Sequence, residues 1–171
     1  MQERDNLVLI ILSGIPCSGK STWAQGMEQY LYMKYEGIPI ITISKDAIRA
    51  AKFGKDYKIN PNSEKLVDTE FFKQLSVAAS FREAVVIIDN THCKEKFLDG
   101  YLTTFRSMFL KGKAQIYIKF FEVPLWKAQW RNIIRWIRSG KYIPYGMMKI
   151  LYRNYHRIDK TKYKHLIPND F

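Results

Sequence analysis

Cysteine is scarce in this chain, and long apolar runs are absent from its sequence. The 171 residues include two cysteines, Cys17 and Cys93, which make neither a disulfide framework nor a metal-ligand spacing. No run approaches the ~20 apolar residues of a membrane span. The apolar run Leu7 to Leu12 is too short and wrongly flanked for a signal peptide. We therefore expect a cytoplasmic protein that does not bind or cross a membrane.

Acidic side chains are scarce in the second part of the chain. Residues 1–100 contain 13 Lys/Arg and 13 Asp/Glu, whereas residues 101–171 contain 15 Lys/Arg and 3 Asp/Glu. The second part therefore carries the entire net charge of +12. The alternative is a basic surface that serves only solubility. Because the asymmetry is complete, we favour a polyanionic partner, and nucleic acid is the polyanion that a field of this size attracts.

Apolar strands alternate with helical segments along the sequence. Strands are predicted at 7–12, 39–43, 84–92 and 115–121, the third being apolar to residue 88 and ending in polar groups. Helices are predicted at 20–36, 62–81, 94–109, 124–139 and 145–159. This order predicts an α/β fold with a mostly parallel four-stranded sheet, helices on both faces and the fourth strand at an edge. We expect one domain over 1–171, with a lysine-rich loop at 51–61, a Lys111–Lys113 turn and a loose tail at 160–171.

The first strand leads directly into a phosphate-binding sequence. Gly-x4-Gly-Lys-Ser occupies Gly14 to Ser21, and a helical segment follows. Glycines let backbone N–H groups turn toward a polyphosphate, and the helix directs its positive dipole end at the same anion. Lys20 is then expected to reach the β- and γ-phosphates of ATP, and the Ser21 hydroxyl to bind Mg²⁺.

Polar side chains follow the second and third strands. Asp46 and Arg49 lie three residues apart after strand 39–43, so in a helix they share one face. One can take a proton and the other can hold a phosphate, although Ser44 and Asp46 also suit a helix cap and first-turn acid. Asp89 after the third strand suits an acid that orients Mg²⁺ through water, or the start of a turn. His92 is a weaker candidate base and is expected at the surface, at a helix start.

A basic stripe follows Val123-Pro124. The cations Lys127, Arg131, Arg135 and Arg138 are spaced 4, 4 and 3 residues apart, which puts them along one helix face. Like charges at this spacing repel, so the stripe favours an anionic ligand over a merely solvated face. We expect neighbouring Trp126, Trp130, Ile133, Ile134 and Ile137 to provide packing surfaces, as we do for the apolar side of helix 94–109, Phe97 included.

Together these segments resemble a known kinase family. Gly14 to Ala24, with Trp23 after the loop, and then Ser44-Lys45-Asp46-Ala47-Ile48-Arg49 are similar to the kinase domain of phage-type polynucleotide 5′-hydroxyl kinases. Phe121-Glu122-Val123-Pro124 leading into Arg131-Asn132 adds to the resemblance, which extends from about residue 7 to 157. It implies a P-loop kinase fold with a helical lid and basic helices over about 123–158. It also implies transfer of the ATP γ-phosphate to RNA or DNA 5′-hydroxyl ends during repair, in a bacterium or a virus-infected cell.

The resemblance also assigns roles to single residues. Lys20 and Ser21 hold ATP phosphates and Mg²⁺, Asp46 is the general base, and Arg49 holds the phosphate next to the accepting nucleoside. The lid arginine is Arg135 counted from Val123-Pro124, or Arg138 counted back from Tyr142-Ile143-Pro144. The acidic role after the third strand falls to Asp89 or Asn90. The full set comprises Gly14, Ile15, Pro16, Cys17, Ser18, Gly19, Lys20, Ser21 and Thr22 for ATP, Ser21 and Asp89 for Mg²⁺, and Arg49, Asp89, Asn90, Thr91 and Arg131 for the acceptor.

Two departures from the family pattern limit the expectation. Cys17 stands where the phage loop has glycine, which stiffens the loop. No Asp-x-Asp phosphatase domain follows before Phe171, so we expect no 3′-phosphate removal, and expect a separate ligase and phosphatase to act beside this chain. Two other functions stay open: a kinase of small metabolites, and a non-catalytic nucleic-acid-binding module switched by nucleotide. The sequence sets neither the oligomeric state nor the choice between RNA and DNA.

Overall fold

Strands and helices alternate through the structure as the sequence predicts. The computed structural model describes residues 6–54, 60–109 and 114–167. Its elements are β1 Asn6–Ser13, α1 Lys20–Lys34, β2 Ile40–Ile43, α2 Lys45–Phe53, α3 Pro61–Ala79, β3 Glu83–Asp89, α4 Glu95–Phe109, β4 Gln115–Phe120, α5 Leu125–Ser139, α6 Tyr145–His156 and a 3₁₀ helix at Lys160–Leu166.

The four strands form one parallel sheet in the order β2-β3-β1-β4. β1 lies inside the sheet, where Leu9 pairs with Val86 of β3 and Ile116 of β4. β4 is an edge strand, as its alternating sequence predicted. Since all strands run the same way, the segments that leave β1, β2 and β3 emerge at one edge of the sheet, where α/β folds bind ligands.

Both faces of the sheet are covered by helices, as expected, but unequally. Along β1, Leu9 and Ile11 pack on one face, in the core that takes residues from α2 to α6 and the 3₁₀ helix. Ile10 and Leu12 pack on the other face, against Ala24 and Leu31 of α1. Alternating side chains of one buried strand thus support two cores. None of the helices in the described ranges has the length and apolar character needed to cross a bilayer.

The prediction of a loose tail is wrong for its first part. Lys160–Leu166 is a 3₁₀ helix whose Tyr163 and Leu166 are buried. The Asp159 side chain caps this helix by accepting a hydrogen bond from Thr161 N at 3.0 Å. Tyr163 Oη donates to Asp99 Oδ1 of α4 at 2.6 Å, and these contacts hold the segment against the core. Residues 168–171 lie outside the described residues.

Two predicted loops are only partly covered by the structure. α2 continues to Phe53, so the first residues of the loop predicted at 51–61 are helical. At its other end, Asn60 caps α3 and Pro61 begins that helix. Residues 55–59 of the predicted loop lie outside the described residues, as does the predicted Lys111–Lys113 turn.

Several side chains that we expected to be packed are exposed. The exposed fractions are 56% for Phe97, 72% for Trp126, 61% for Trp130 and 75% for Ile137. α5 instead turns Ala128 and Asn132 toward the body of the protein, so small and polar residues make its inner face. The packing role expected of the α5 tryptophans and of Ile137 is therefore wrong.

Candidate active site at the carboxyl edge of the sheet

The loop between β1 and α1 has the geometry that its glycines predict. A Cβ added at Gly14 would lie 2.9 Å from Phe121 Cβ and 2.9 Å from Ser18 Oγ, so a larger residue does not fit there. Gly19, immediately before α1, has φ 103°. Cys17 has φ 61°, a left-handed conformation that favours glycine over other residues. The N-terminus of α1 thus opens onto a tightly wound loop suited to an anion.

The side chain of Lys20 is buried at the base of this loop. Its Nζ donates hydrogen bonds to Gly14 O at 2.9 Å and Ile15 O at 2.7 Å. Burial lowers the pKa of Lys20, and the nearby charge of Asp89 opposes that effect. The ammonium is therefore poorly hydrated, and an anionic ligand in the loop would stabilise its charge.

A cavity of about 520 Å³ opens above the carboxyl ends of β1, β2 and β3. It brings together ten of the residues predicted from sequence: Pro16, Cys17, Lys20, Ser21, Asp46, Arg49, Asp89, Asn90, Thr91 and Arg135. His92, the weaker candidate base, also lines it, and five further lining residues were not predicted as site residues: Lys45, Asp68, Phe97, Tyr101 and Ile143.

The start of α2 accommodates both interpretations of its sequence. Ser44 caps the helix by accepting a hydrogen bond from Ala47 N at 3.5 Å. This leaves the Asp46 side chain, which is 87% exposed, free to face the cavity. Arg49 Nη1 donates to Asp46 Oδ1 at 2.5 Å, so acid and cation share one face of α2 as the spacing indicated. The cap and the candidate base are thus different residues.

Glu64 is a contact of Arg49 that sequence reasoning missed. From α3, its carboxylate accepts two hydrogen bonds from the Arg49 guanidinium, each at 2.7 Å. These bonds are the main reason that the pKa of Arg49 is raised. Nothing in the local sequence connects two residues on different helices. The only signal is an acid in the first turn of the helix that follows α2.

The segment after β3 ties two strand ends together. Asp89 ends β3 and lines the cavity. Asn90 Oδ1 accepts a hydrogen bond from Lys45 N at 2.8 Å, which fixes the start of α2 against this segment. The oxygen of the Asn90 amide is therefore used by the protein itself, whereas its Nδ2 is buried without a hydrogen-bond partner among the described residues. Asp89 has no ion pair in the same ranges.

His92 is buried, so the expectation of a surface histidine is wrong. It is 1% exposed, and its Nδ1 donates to Leu12 O at 2.8 Å. Burial lowers the pKa of His92 to about 4. The ring is therefore neutral at pH 7, with Nε2 as an acceptor. Its place is structural: it joins the β3 segment to β1, whose Ser13 Oγ also donates to His92 O at 2.7 Å.

Lys45 adds a second cation, which is half-buried, to the cavity. Its Nζ forms an ion pair with Asp68 Oδ1 at 2.5 Å and lies over the rings of Phe71 and Tyr101, at 5.4 and 5.5 Å. Burial lowers its pKa, but hydrogen bonds to Asp68 and Tyr101 outweigh burial and raise it. The sequence signal was its position directly before Asp46, at the strand end.

The basic stripe of α5 divides into two groups. Arg131 Nη1 donates to Cys17 O of the phosphate-binding loop at 3.2 Å. Arg135 lines the cavity, and its Nη2 donates to Asn132 Oδ1 at 3.2 Å. Lys127 and Arg138 are exposed and do not line the cavity. Of the two candidate lid arginines, the structure brings Arg135 to the other site residues and leaves Arg138 outside.

A second opening lies on the α1 side of the loop. Its volume is about 640 Å³, and its lining includes Gly19, Thr22, Trp23, Phe121 and Arg131. The rings of Trp23 and Phe121 meet edge to face at 5.9 Å. Arg135 and Lys20 line both openings, so the loop lies between two spaces that share these cations.

These features define the class of the protein. A parallel sheet whose inner strand leads into a glycine-bounded loop, a buried lysine and a helix N-terminus is a P-loop nucleotide-binding domain with the P-loop kinase fold. The chain belongs to the family described as AAA domain, whose family model matches residues 9–143.

Three solved structures share the fold at low sequence identity. The chain is similar to one in "Structure of the Pnkp1/Rnl/Hen1 RNA repair complex", with 22% identity and TM-score 0.76 over 92% of this chain and 47% of that one. It is similar to Chaetomium thermophilum Kti12 in complex with ADP-AlF3, with 17% sequence identity and a TM-score of 0.61. That match covers 90% of this chain and 82% of the Kti12 chain. It is also similar to a putative kinase from Chloroflexus aurantiacus, with 17% sequence identity and a TM-score of 0.60. That match covers 86% of this chain and 75% of the other.

The chain spans about half the length of the RNA repair structure that it matches, 47% of that chain. A comparison with the curated proteins found no match.

Proposed function

We propose that this protein is a polynucleotide 5′-hydroxyl kinase, which transfers the γ-phosphate of ATP to the 5′-hydroxyl end of RNA or DNA. One observation carries the proposal. A carboxylate and an arginine on one helix face, Asp46 and Arg49, share a cavity with the phosphate-loop lysine Lys20. A kinase needs phosphate binding and proton acceptance side by side, and an acceptor that itself carries a phosphate needs a further cation.

The loop and its neighbours suit ATP and Mg²⁺. The backbone of residues 14–22 would enclose the phosphates, with Lys20 neutralising the β- and γ-groups. The Ser21 hydroxyl and the Asp89 carboxylate offer oxygen ligands for Mg²⁺, which prefers them. The described residues contain no cluster of three or more acidic, histidine or cysteine ligands. This pattern fits an ion that takes most ligands from phosphates and water.

Asp46 is assigned the role of general base. Its carboxylate would accept the proton of the 5′-hydroxyl while the new bond forms between that oxygen and the γ-phosphorus. The bond from the γ-phosphorus to the bridging oxygen breaks, and ADP leaves. The hydrogen bond from Arg49 Nη1 to Oδ1 fixes the position of the Asp46 carboxylate beside the cavity.

Arg49 is assigned to the acceptor rather than to ATP. Glu64 occupies one edge of its guanidinium and Asp46 meets Nη1, so the group is held at the cavity wall. A phosphate on the 3′ side of the accepting nucleoside is the ligand that such a cation selects. A nucleic-acid end would then be preferred over a free nucleoside.

Arg135 is assigned the role of lid arginine. Phosphoryl transfer passes through a loose transition state whose charge lies on the equatorial oxygens, and an arginine there is worth several powers of ten in rate. Arg135 lines both openings beside Lys20, where that charge would develop. Arg131, whose Nη1 donates to Cys17 O of the loop, is assigned to a phosphate of the acceptor.

Two further observations support a nucleic-acid substrate. Residues 101–171 carry the whole net charge of the chain. The fold is shared with a chain from an RNA repair complex, although Kti12 and a putative kinase share it too. Separate ligase and phosphatase partners belong to this proposal.

The test uses γ-labelled ATP with Mg²⁺ and matched RNA and DNA oligonucleotides bearing 5′-hydroxyl ends, beside a free nucleoside and a nucleoside 3′-monophosphate. We expect label on the oligonucleotides and on the 3′-monophosphate. Lys20→Ala should abolish labelling, and Asp46→Asn should reduce kcat by about 100-fold or more while ATP binding persists.

Label on the free nucleoside alone would indicate a kinase of small metabolites. Binding of ATP and oligonucleotide without any transfer would indicate a non-catalytic module. Undiminished transfer by Asp46→Asn would overturn the assignment of the base.

A further inference from the structure

The outer face of α5 carries an apolar groove that the proposed chemistry does not use. We call it the aromatic groove. It has a volume of about 720 Å³. Its lining residues are Leu125, Trp126, Gln129, Trp130 and Ile133 of α5 and Tyr145 of α6. Trp126 and Trp130 are four residues apart, on the side of the helix opposite the buried Ala128, and are 72% and 61% exposed. Two large, adjacent aromatic side chains exposed to solvent are typical of a surface that binds a ligand or partner.

The charge around the aromatic groove has a single sign. From residue 123 to residue 158 the chain contains eight Lys/Arg and no Asp/Glu, together with seven Trp/Tyr. Each groove tryptophan is followed directly by an exposed cation, Lys127 and Arg131. Flat rings beside a line of cations match the stacked bases and phosphates of a single strand. A second copy of this face would place cations against cations, which opposes self-association.

The groove lining includes one polar side chain. Gln129 Nε2 donates to Tyr142 Oη at 3.2 Å, which joins α5 to the segment before α6, and Gln129 Oε1 is buried. The rest of the lining offers flat rings and apolar side chains. Such a surface suits any base, because every base has a flat face, as expected for binding without sequence preference.

The groove lies next to the catalytic cavity. Ile143 lines that cavity and Tyr145 lines the groove, so a short stretch of chain separates the two spaces. Asn132 holds this stretch in place through two hydrogen bonds. Its Oδ1 accepts from Ile143 N at 3.2 Å, and its Nδ2 donates to Ile143 O at 2.8 Å. Two extended residues span about 7 Å, close to the spacing of successive nucleotides in an extended strand.

We propose that the aromatic groove binds a base of the single-stranded acceptor downstream of its 5′ end, stacked on Trp126 or Trp130, with flanking phosphates on Lys127 and Arg131. The proposal rests on the proposed function, because the acceptor end in the cavity fixes where the strand begins. It assigns a length dependence to the enzyme: acceptors long enough to reach the groove bind more tightly than a nucleoside 3′-monophosphate.

The first experiment measures KM for 5′-hydroxyl acceptors of one, two, four and eight nucleotides. For the wild-type chain, we expect KM to fall by about 5- to 100-fold between the shortest and the longest acceptor. In the double variant Trp126→Ala/Trp130→Ala this ratio should approach 1, and Trp126→Phe/Trp130→Phe should restore part of it. The control is Trp136→Ala: Trp136 lies on the same helix and is 55% exposed, but packs on Tyr142 outside the groove. An unchanged ratio in the double alanine variant would overturn the proposal.

A second experiment does not depend on catalysis. Titration of the wild-type chain with an eight-nucleotide single strand should quench tryptophan fluorescence, and the phenylalanine double variant should lose most of that quenching. If quenching occurs without phosphoryl transfer to any acceptor, the proposed function fails and the groove assignment stands. If instead sedimentation shows a dimer that the double alanine variant abolishes, with no quenching by the oligonucleotide, the groove is a protein interface and the proposal fails.

Discussion

Glu64 holds the guanidinium of Arg49 with both of its carboxylate oxygens, Oε1 to Nε and Oε2 to Nη2, each at 2.7 Å. The pair joins α3 to α2 and is half-buried, so the guanidinium has a fixed direction. A fixed cation binds an acceptor phosphate with less loss of side-chain entropy than a mobile one. Glu64 is thus expected to act through Arg49, as a positioning residue.

Glu64→Gln should therefore raise KM for a nucleoside 3′-monophosphate by about 10-fold, because one charge-assisted bond to Arg49 is lost. The Kd for ATP should stay within about twofold, since the loop is untouched. Glu70→Gln is the matched control, because Glu70 lies on the same helix and pairs with Lys52 away from the cavity. Equal losses for ATP and acceptor would show that Glu64 only stabilises the fold.

Gly14→Ala tests the close approach of the loop to the segment after β4. The new Cβ would meet Phe121 Cβ and Ser18 Oγ at 2.9 Å, so the loop must shift. We expect the free energy of unfolding to fall by about 1–3 kcal/mol and ATP affinity to fall with it. Calorimetry and nucleotide titration measure the two effects.

Gly26→Ala is its control, because a Cβ at that helical position meets nothing within 4 Å. The second substitution should raise stability by about 0.5–1 kcal/mol. A Gly14→Ala protein as stable and as tight for ATP as the wild type would contradict the steric argument.

His92 gives the protein a pH dependence of stability. Its pKa is about 4 in the folded protein, against the ordinary value of 6.5. Between these values the unfolded chain binds a proton that the folded chain does not, so stability falls as pH falls. The contribution is complete above pH 6.5 and is lost progressively toward pH 4. Between pH 7.5 and pH 5 the loss amounts to about 2 kcal/mol.

Chemical denaturation of the wild type and of His92→Asn at both pH values measures the contribution of His92 to the free energy of unfolding. The other titrating groups are the same in the two proteins, so their contributions cancel in the difference. The difference in their free energies of unfolding should shrink by about 2 kcal/mol at the lower pH. The matched control is His165→Asn, which changes an exposed histidine. A pH-independent difference at His92 would show that the ring takes up a proton as readily in the folded protein as in the unfolded chain.

The sequence predicted those parts of the site that local pattern determines. Gly14, Lys20 and Ser21 follow from one motif, and Asp46 with Arg49 from spacing on one helix. Contacts between segments that are distant in the chain could not be predicted from local sequence pattern. Glu64 lies 15 residues from Arg49, and the His92 ring bonds to a carbonyl 80 residues away, so no periodicity connects either pair.

The prediction that the α5 tryptophans pack against the core was wrong for a related reason. Helical spacing places Trp126 and Trp130 on one face, but it does not say whether that face meets the core. Here Ala128 and Asn132 are the residues buried against the core. The Asn132 amide exchanges two hydrogen bonds with Ile143: Nδ2 donates to Ile143 O, and Oδ1 accepts from Ile143 N. The basic stripe was correctly placed on one side of the helix, and its position relative to the cavity depended on the same orientation.

Arg135 and Arg138 are three positions apart on α5, about 60° around the helix, and this angle separates their predicted roles. Arg135 lines the cavity and is oriented by Asn132, whereas Arg138 is exposed near the end of the helix. Arg135→Ala should lower kcat by about 100-fold or more, since it removes charge stabilisation from the transition state. Arg135→Lys should recover little, because a lysine cannot keep both the bond to Asn132 and a forked contact with phosphate. Arg138→Ala should change kcat by less than about threefold, and should only weaken oligonucleotide binding slightly and lower its salt dependence. Single-turnover transfer to a saturating acceptor measures both variants on the chemical step, and a larger loss for Arg138→Ala would reverse the assignment.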